Sequence, residues 1–313
     1  MSFTRPKLRI ATRASQLALW QSNYIAGLIQ QVAPQVKVEL VHVSTAGDRD
    51  QTETLQVLGS FGVFTREVQT VVLKEQVDMA VHSLKDLPTD GPPELTLGAV
   101  PTRGLTHDAL ILPANQTARL SLKDLPRNAR VGTGSPRRKA QLRYLRPDLQ
   151  LFEIRGNVDT RLKKLDAGDY DAIILASAGL TRLGWAGRIH SEIAPPFMYP
   201  AVGQGAVGVE CRTNDHELRE LLQQITDPVT MAAVTAERSL MSSLRAGCHA
   251  PLGAYTTVSD QTIRLEAVVL PVDGSQRWMA SATSELAEAE ALGHQVATLL
   301  KDQGVDRVLQ ALS

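Results

Sequence analysis

The chain has 313 residues, 33 Lys and Arg against 33 Asp and Glu, 43% hydrophobic and 21% charged residues. Such usage excludes a disordered or collagen-like chain, and the length implies two or three domains rather than one small core. Zero net charge argues against a generic nucleic-acid binder, and the lack of any run of about 18 apolar residues argues against a membrane span.

The first residues, 1–9, have no apolar signal core and lead straight into a strand, so no targeting peptide is expected and the protein reads as cytoplasmic. Residues 8–12 form a short buried strand. Ser15 can cap a helix reaching about residue 32, with apolar positions Leu17, Leu19, Trp20, Tyr24, Ile25 and Leu28. Residues 36–43 alternate as a strand, 44–62 read as a loop, 63–75 as a helix and 77–82 as a strand. Alternating strands and helices are the signature of parallel α/β units. After the Pro/Gly-rich stretch 91–104 the pattern restarts. Strands are expected at 108–112, 129–133, 149–154 and 170–176, and helices at 136–145, at 158–165 and into Arg182. Residues 195–205 read as a linker and 206–211 as a further strand. The last part differs: a helix at 229–244, strands at 252–258, 262–270 and 276–282, then an amphipathic helix at 284–301. Strands followed by a helix suggest a small α+β domain with an antiparallel sheet.

Charge is uneven. Between Arg127 and Arg188 there are 13 Lys/Arg against 6 Asp/Glu, which fits either a solvated surface or a local anionic ligand. Gly132-Thr133-Gly134-Ser135-Pro136-Arg137-Arg138 favours the ligand. Glycines allow a tight turn after a strand, Ser135 can cap and Pro136 fits the first helical position. The free backbone N–H groups then suit an anion, and Arg137 and Arg138 add forked donors. The segment lacks a Walker lysine and is not a dinucleotide fingerprint. Arg155-Gly156-Asn157 repeats the arrangement, with Asn157 as a cap and Arg161 nearby. Arg13 follows the first strand. Ligands of open α/β sheets bind outside the carboxyl ends of strands, and several basic strand ends suggest a ligand with several carboxylates.

Asp86 follows the strand ending near His82. It is either a turn residue before Pro88 or a carboxylate that stabilises a developing cation. His82 reads as a packed strand residue, because no second metal ligand has suitable spacing, and no metal is expected. Two cysteines, Cys211 and Cys248, exclude a disulfide scaffold or four-cysteine zinc site. Cys211 reads as a buried thiol. Cys248, in a loop beside Arg245 and His249, is either buried or partly activated.

Six segments together resemble the porphobilinogen deaminase (hydroxymethylbilane synthase) family in order and spacing. They are the stretch from Leu8 to Ser15, Val81-His82-Ser83-Leu84-Lys85-Asp86-Leu87-Pro88, the stretch from Gly132 to Arg138, Arg155-Gly156-Asn157-Val158-Asp159-Thr160-Arg161, Pro200-Ala201-Val202-Gly203-Gln204-Gly205 and Ala246-Gly247-Cys248. The resemblance implies two α/β lobes like those of periplasmic binding proteins, with the active cleft between them, plus a small α+β C-terminal domain. The boundaries it implies are 1–104 with 202–225, 105–201, and 226–313. It implies a dipyrromethane held covalently by Cys248 as a primer. Four porphobilinogen molecules add in turn, each losing ammonia to give an electrophilic azafulvene, and water releases hydroxymethylbilane.

By match to the family's motifs, Asp86 is the catalytic carboxylate. Ser83, Lys85, Asp86, Thr133, Ser135, Arg137, Arg138, Arg161 and Arg182 bind the cofactor, and Arg13, Ser15, Gln21 and Arg155 bind substrate. A monomer is implied, with porphobilinogen as the only partner and neither nucleic acid nor membrane. The chain departs from the family at Phe61, where lysine is usual, at Gly134, where serine is common, and at Ala246, where glycine is common. A non-enzymatic binding protein for an anionic ligand would use the same arginines but gives no role to Asp86 or Cys248. A transcriptional effector domain of similar fold ranks lower, because no helix-turn-helix with a basic face appears before the first lobe.

Overall fold

A computed structural model describes residues 3–44, 65–118, 120–247 and 250–310. It divides into two compact units, Met1–Gly104 with Ala206–Met231, and Leu105–Gly205 with Ala232–Ser313. In the first unit the chain runs β1 (Lys7–Thr12), α1 (Gln16–Val32), β2 (Lys37–His42), α2 (Arg66–Leu73), β3 (Met79–Ser83) and β4 (Leu95–Ala99). It then enters the second unit as β5 (Asp108–Ile111), β6 (Arg130–Gly132), α3 (Pro136–Leu145), β7 (Gln150–Phe152), α4 (Val158–Asp166), β8 (Ala172–Ala176), α5 (Ser177–Arg182) and β9 (Ser191–Ile193). It returns as β10 (Val207–Arg212) and α6 (His216–Gln223). Helix α7 (Pro228–Ser243) leads into β11 (Leu252–Ser259), β12 (Thr262–Val269), β13 (Trp278–Glu285), α8 (Ala289–Asp302) and α9 (Asp306–Gln310).

Both large sheets share one plan. The first has the order β2-β1-β3-β10-β4 and the second β7-β6-β8-β5-β9. In each, three parallel strands come first, and the fourth is antiparallel to both neighbours. That fourth strand, β10 or β5, is the one the chain forms just after passing from one unit to the other. Parallel sheets are covered on both faces and read as near-continuous apolar runs. Strand β8 does so as Ala172-Ile173-Ile174-Leu175-Ala176. Ile174 packs with Leu110 and Val131, whereas Ile173 and Leu175 pack with Ala109 and Ile111. Alternation along the strand therefore feeds two clusters, one on each face.

The C-terminal part is a three-stranded antiparallel meander, β11-β12-β13. Ala254, Ile263, Leu265 and Ala267 pack against Leu240 of α7 and Val296 and Leu300 of α8. The two helices approach closely at Gly293, where a Cβ would lie 2.4 Å from the carbonyl of Ala236. This meander belongs to the same compact unit as the second α/β sheet. Tyr199 joins Val268 and Leu270 in one cluster, and its hydroxyl donates to Glu266 at 3.1 Å.

Several expectations need correction. Residues 95–99 form β4 inside the Pro/Gly-rich stretch 91–104, where no strand was expected, because β10, over a hundred positions away, supplies the pairing. Helix α6 was not anticipated; Asp215 caps it by accepting from Leu218 N, and Leu218, Leu221 and Leu222 are buried. Strand β13 extends to Glu285, and α8 starts at Ala289 rather than 284, since β12 pairs along its full length from Val269↔Trp278 to Thr262↔Glu285. The expected loop at 44–62 lies, beyond Ser44, outside the described residues, as does Phe61.

Candidate active site

In the first unit, the carboxyl ends of the parallel strands β1 and β3 bring Arg13 and Ser83 to one edge of the sheet. Ser15 is the N-cap of α1, its hydroxyl accepting from Ala18 N at 3.3 Å. Gln21 is 2% exposed, and its amide donates to the Ser83 hydroxyl at 2.9 Å. The helix that Ser15 starts thus holds a side chain of the β3 end. Leu84, Lys85 and Asp86 form a single 3-10 turn after β3. Leu84 is buried as the plug of this turn, and its N–H donates to the carbonyl of Ala206, just before β10. Asp86 is exposed, and its carboxylate makes no hydrogen bond or ion pair to another described residue. His82, one position before Ser83, is buried 3.3 Å from Glu210, whose other oxygen accepts from Gln69. Among the described residues no cluster suits a metal ion.

The second unit repeats the layout on a more strongly basic edge. The β6 end turns into α3 through Thr133, Gly134 and Ser135. Ser135 is the N-cap, accepting from Arg138 N, and Pro136 occupies the first turn, a cap that contributes about 1 kcal/mol. Thr133 is fully buried and its hydroxyl accepts from Ser135 N at 3.3 Å. At Gly134, one of the departures, a Cβ would stand 3.1 Å from a Glu153 oxygen and 3.2 Å from the Ile154 carbonyl, so a larger residue would require these neighbours to shift by a few tenths of an ångström.

Arg137 and Arg138, read from the sequence as forked donors for an anion, already pair with a carboxylate of the protein. They are 4% and 6% exposed. Both grip Asp108, which is fully buried at the first position of β5. Strand β5 runs antiparallel to β8, with Asp108 opposite Ala176, so its amino end meets the carboxyl ends of the parallel strands. Arg137 Nη1 lies 2.8 Å from Asp108 Oδ2, and Arg138 Nη2 and Nε lie 2.7 and 3.0 Å from Oδ1. Arg137 Nη1 also donates to the Tyr199 carbonyl at 2.5 Å, and Arg138 Nη1 to the Ile174 carbonyl at 3.0 Å. Gln204 adds a 3.0 Å donation to Asp108 Oδ1. Asp108 was read only as the start of an apolar strand. The available signal was a charged residue opening a run of buried ones, which requires a partner.

Burial acts to raise the pKa of Asp108, but the two guanidinium charges and their hydrogen bonds outweigh it and hold the carboxyl well below the usual carboxylate range. Burial lowers the pKa of Arg137, Asp108 opposes that and Arg138 adds to it; a guanidinium stays charged in any case. One carboxylate between two buried guanidiniums leaves a net positive charge. Because the folded value of Asp108 lies below its unfolded value of about 3.9, its contribution to stability is complete above that pH and is lost as the pH falls through the folded value. Thermal melts of wild type and Asp108→Asn should therefore differ by a constant amount above about pH 5, of order 3–5 kcal/mol, and converge on further acidification. A gap that stays constant down to pH 2 contradicts the ion-pair assignment.

Strand β7 ends at Phe152 and leads to Arg155. Gly156 has φ +105°, and a Cβ would lie 2.7 Å from Thr160 Cγ2, so only glycine fits the turn. Asn157 takes the N-cap position but makes no side-chain cap bond, contrary to expectation. Arg161 Nε folds back to donate to the Gly156 carbonyl at 2.8 Å. Arg182, in the last turn of α5 after β8, donates to the Gly205 carbonyl at 2.6 Å. Cys248 and His249 lie outside the described residues. The chain on either side is anchored: Ala246 N donates to the Met241 carbonyl and Leu270 N to the Pro251 carbonyl. Ala246 is itself part of the C-terminal core, which accounts for a methyl group where glycine is common. Burial pushes the Cys211 thiol up to about 11, which suits a packing residue.

Basic side chains and helix starts at the carboxyl ends of parallel strands define an α/β protein with a sheet edge whose chemistry suits anions. A family profile described as "Porphobilinogen deaminase, dipyromethane cofactor binding domain" matches residues 8–220, and "Porphobilinogen deaminase, C-terminal domain" matches 231–302. The chain belongs to the porphobilinogen deaminase family. It is 45% identical over 306 residues to the porphobilinogen deaminase of Xylella fastidiosa, covering 98% of this chain and 99% of that one. It is 42% identical over 305 residues to that of Syntrophobacter fumaroxidans, covering 97% of each. Among solved structures, the periplasmic VFT2 domain of Bordetella pertussis BvgS is 14% identical with a TM-score of 0.43, covering 74% of this chain and 92% of that one. An ancestral cationic amino acid solute-binding protein has the same identity and TM-score, covering 75% and 94%. The sheet orders above, rather than these distant likenesses, establish the fold. The chain is accordingly a transferase of tetrapyrrole biosynthesis.

Proposed function

We propose that the chain condenses four porphobilinogen molecules, with release of four ammonia, on a dipyrromethane joined to Cys248 through a thioether, and that one water then releases the tetrapyrrole as hydroxymethylbilane. The observation that carries the residue-level reading is the excess of buried and half-buried guanidinium groups at the carboxyl edge of the second sheet. Arg137 Nε is buried without a hydrogen-bond partner among the described residues, and such a donor calls for an acceptor. The acetate and propionate groups of a pyrrole chain fit that donor set, and the bound dipyrromethane supplies a free pyrrole carbon as the growing end.

In this reading Ser83, Lys85, Thr133, Ser135, Arg137, Arg138, Arg161 and Arg182 hold the cofactor's side chains, and Arg13, Ser15, Gln21 and Arg155 receive substrate. Asp86, exposed on its short turn, pairs with the pyrrole N–H groups and the positive charge left when ammonia departs. It also takes part in moving the proton lost after carbon–carbon bond formation. The division into 1–104 with 202–225, 105–201 and 226–313 belongs to the same reading, as do a monomer and a cytoplasmic location. No helix among the described residues is long and apolar enough to cross a membrane.

Arg155→Leu tests the anion reading. Removing one charge-assisted contact weakens binding of the charged groups by about ten- to a hundredfold. Mass spectrometry after brief exposure to porphobilinogen should show enzyme stalled with fewer bound pyrroles than wild type. An unchanged distribution of intermediates contradicts the assignment.

A further inference from the structure

The end of β3, which carries Ser83 and leads to Asp86, is held from both faces of its sheet. On one face Gln21 of α1 bonds the Ser83 hydroxyl. On the other face His82, Glu210 of β10 and Gln69 of α2 form a polar cluster that no step of the proposed reaction uses. They are 6%, 5% and 9% exposed. Gln69 Nε2 donates to Glu210 Oε1 at 2.9 Å, and Glu210 Oε2 lies 3.3 Å from His82 Nε2. Nearby on this face Val68, Val72, Ala80 and Leu95 pack as an apolar cluster, so the three polar side chains must satisfy one another. Nε2 of His82 and Oε2 of Glu210 are buried and have no other hydrogen-bond partner among the described residues. A proton on Nε2 lets each satisfy the other.

The strand register places this cluster behind the turn that carries Asp86. His82 stands opposite Gly208, and Ala80 opposite Glu210, so His82 and Glu210 share one face of adjacent strands. Leu84, the plug of the turn, lies over Gly208 on that same face. A Cβ at Gly208 would stand 2.8 Å from Leu84 Cδ1 and 3.0 Å from Leu97 Cδ1. The missing side chain at 208 thus makes the seat for the plug, and the imidazole of His82 is its cross-strand neighbour. Inward from the seat, the His82–Glu210 pair joins β3 to β10.

We infer that Glu210, together with His82 and Gln69, is a positioning residue for Asp86. This rests on the proposed reading that Asp86 is the catalytic carboxylate. None of the three touches a ligand, since all are buried. Glu210 is the shared acceptor: through Gln69 it ties α2 to β10, and through His82 it ties β10 to the end of β3. Asp86 has no hydrogen bond of its own to a described residue, so its aim depends on the turn beneath it. Gln21 holds Ser83 from the α1 face, and the Glu210 cluster holds His82 from the α2 face. Two consecutive residues are thereby fixed just before the turn.

The experiment compares Glu210→Leu, Asp86→Asn and the double variant in the full chain. Leucine suits the apolar neighbours but leaves His82 and Gln69 without their acceptor. Intact mass gives the fraction carrying the dipyrromethane, thermal melting shows that the protein is folded, and kcat and KM are measured on the loaded fraction. Glu210→Leu is expected to lower kcat by about ten- to a hundredfold, the scale set by a catalytic group misplaced by about 1 Å, with KM for porphobilinogen changed far less. In the Asp86→Asn background the same substitution should lower kcat no further, because the group it aims is already gone. A merely structural role would lower the melting temperature and leave kcat of the folded, loaded protein unchanged. That result overturns the proposal, as does a rise in KM alone or an equal fold-loss of kcat in both backgrounds. If Asp86→Asn itself turns over normally, the reading of Asp86 fails and takes the proposal with it. An inactive Asp86→Asn beside a normal Glu210→Leu overturns the positioning role alone.

Should Glu210→Leu not fold or not carry the dipyrromethane, Gln69→Leu removes the donor on α2 and leaves His82 and Glu210 in place. A severalfold fall in kcat with KM held, absent when Gln69→Leu is added to Asp86→Asn, supports the positioning role. Wild-type kcat in Gln69→Leu, or an equal fall in both backgrounds, overturns it.

Discussion

Asp86→Asn should keep the fold and lose about 99% to 99.99% of turnover, the range expected when a charged group acting on the transition state is removed. The structure supports the first half directly. Asp86 is exposed and its side chain makes no hydrogen bond or ion pair to another described residue. The turn that carries it is held instead by buried Leu84 and by the backbone bond from Leu84 N to Ala206. Asparagine is close to isosteric, so melting temperature should move little. It still accepts a hydrogen bond but carries no charge, and it cannot balance the cation left when ammonia leaves. Loss of turnover with unchanged melting separates chemistry from stability. Near-normal turnover would remove Asp86 from the mechanism.

The second large effect concerns Cys248. Cys248→Ser exchanges sulfur for oxygen in a chain whose flanks are pinned at Ala246 and Pro251, so the fold should persist. A serine hydroxyl is a far weaker nucleophile than a thiolate at neutral pH. The variant should consequently carry no dipyrromethane and form no product. In the account developed above the cysteine is a tether made once, whereas Asp86 acts on every added pyrrole. The two variants should therefore differ in kind. Asp86→Asn protein should be able to carry the primer yet elongate it poorly; Cys248→Ser protein should lack the primer altogether. A Cys248→Ser protein with the added mass would move the attachment elsewhere, and Cys211 is buried with a raised pKa that disfavours it.

Local features were legible in the sequence wherever their cause is local. Ser135 followed by Pro136 marks a helix start, and the helix runs over Pro136–Leu145 as expected. Ser15 caps α1 for the same reason. The alternation of strands and helices gives the α/β character, and the β11–β13 meander follows from period-two patterning between turns. Features with distant causes were not legible. Strand β4 exists because β10 pairs with it, and β10 comes after the whole second α/β sheet.

The same holds for the site. Arg137 and Arg138 stand out as a basic pair at a helix start, but nothing in their neighbourhood shows that both donate to Asp108, 29 positions before Arg137. Gln204 lies in a segment that drew attention for its motif, yet its contacts with Thr106 and Asp108 arise from folding. Asn157 stands at the cap position but makes no side-chain cap bond, and the nearby Arg161 donates to the Gly156 carbonyl, a contact the cap reading did not include.

The central claim is that this chain carries a dipyrromethane covalently on Cys248. Intact-mass spectrometry of freshly purified, active protein tests it most directly, with peptide mapping to locate any addition. The account predicts a mass above that of the polypeptide by one thioether-linked dipyrromethane, confined to the peptide containing Cys248. Active protein at the bare polypeptide mass, or an addition mapped to another residue, would contradict it.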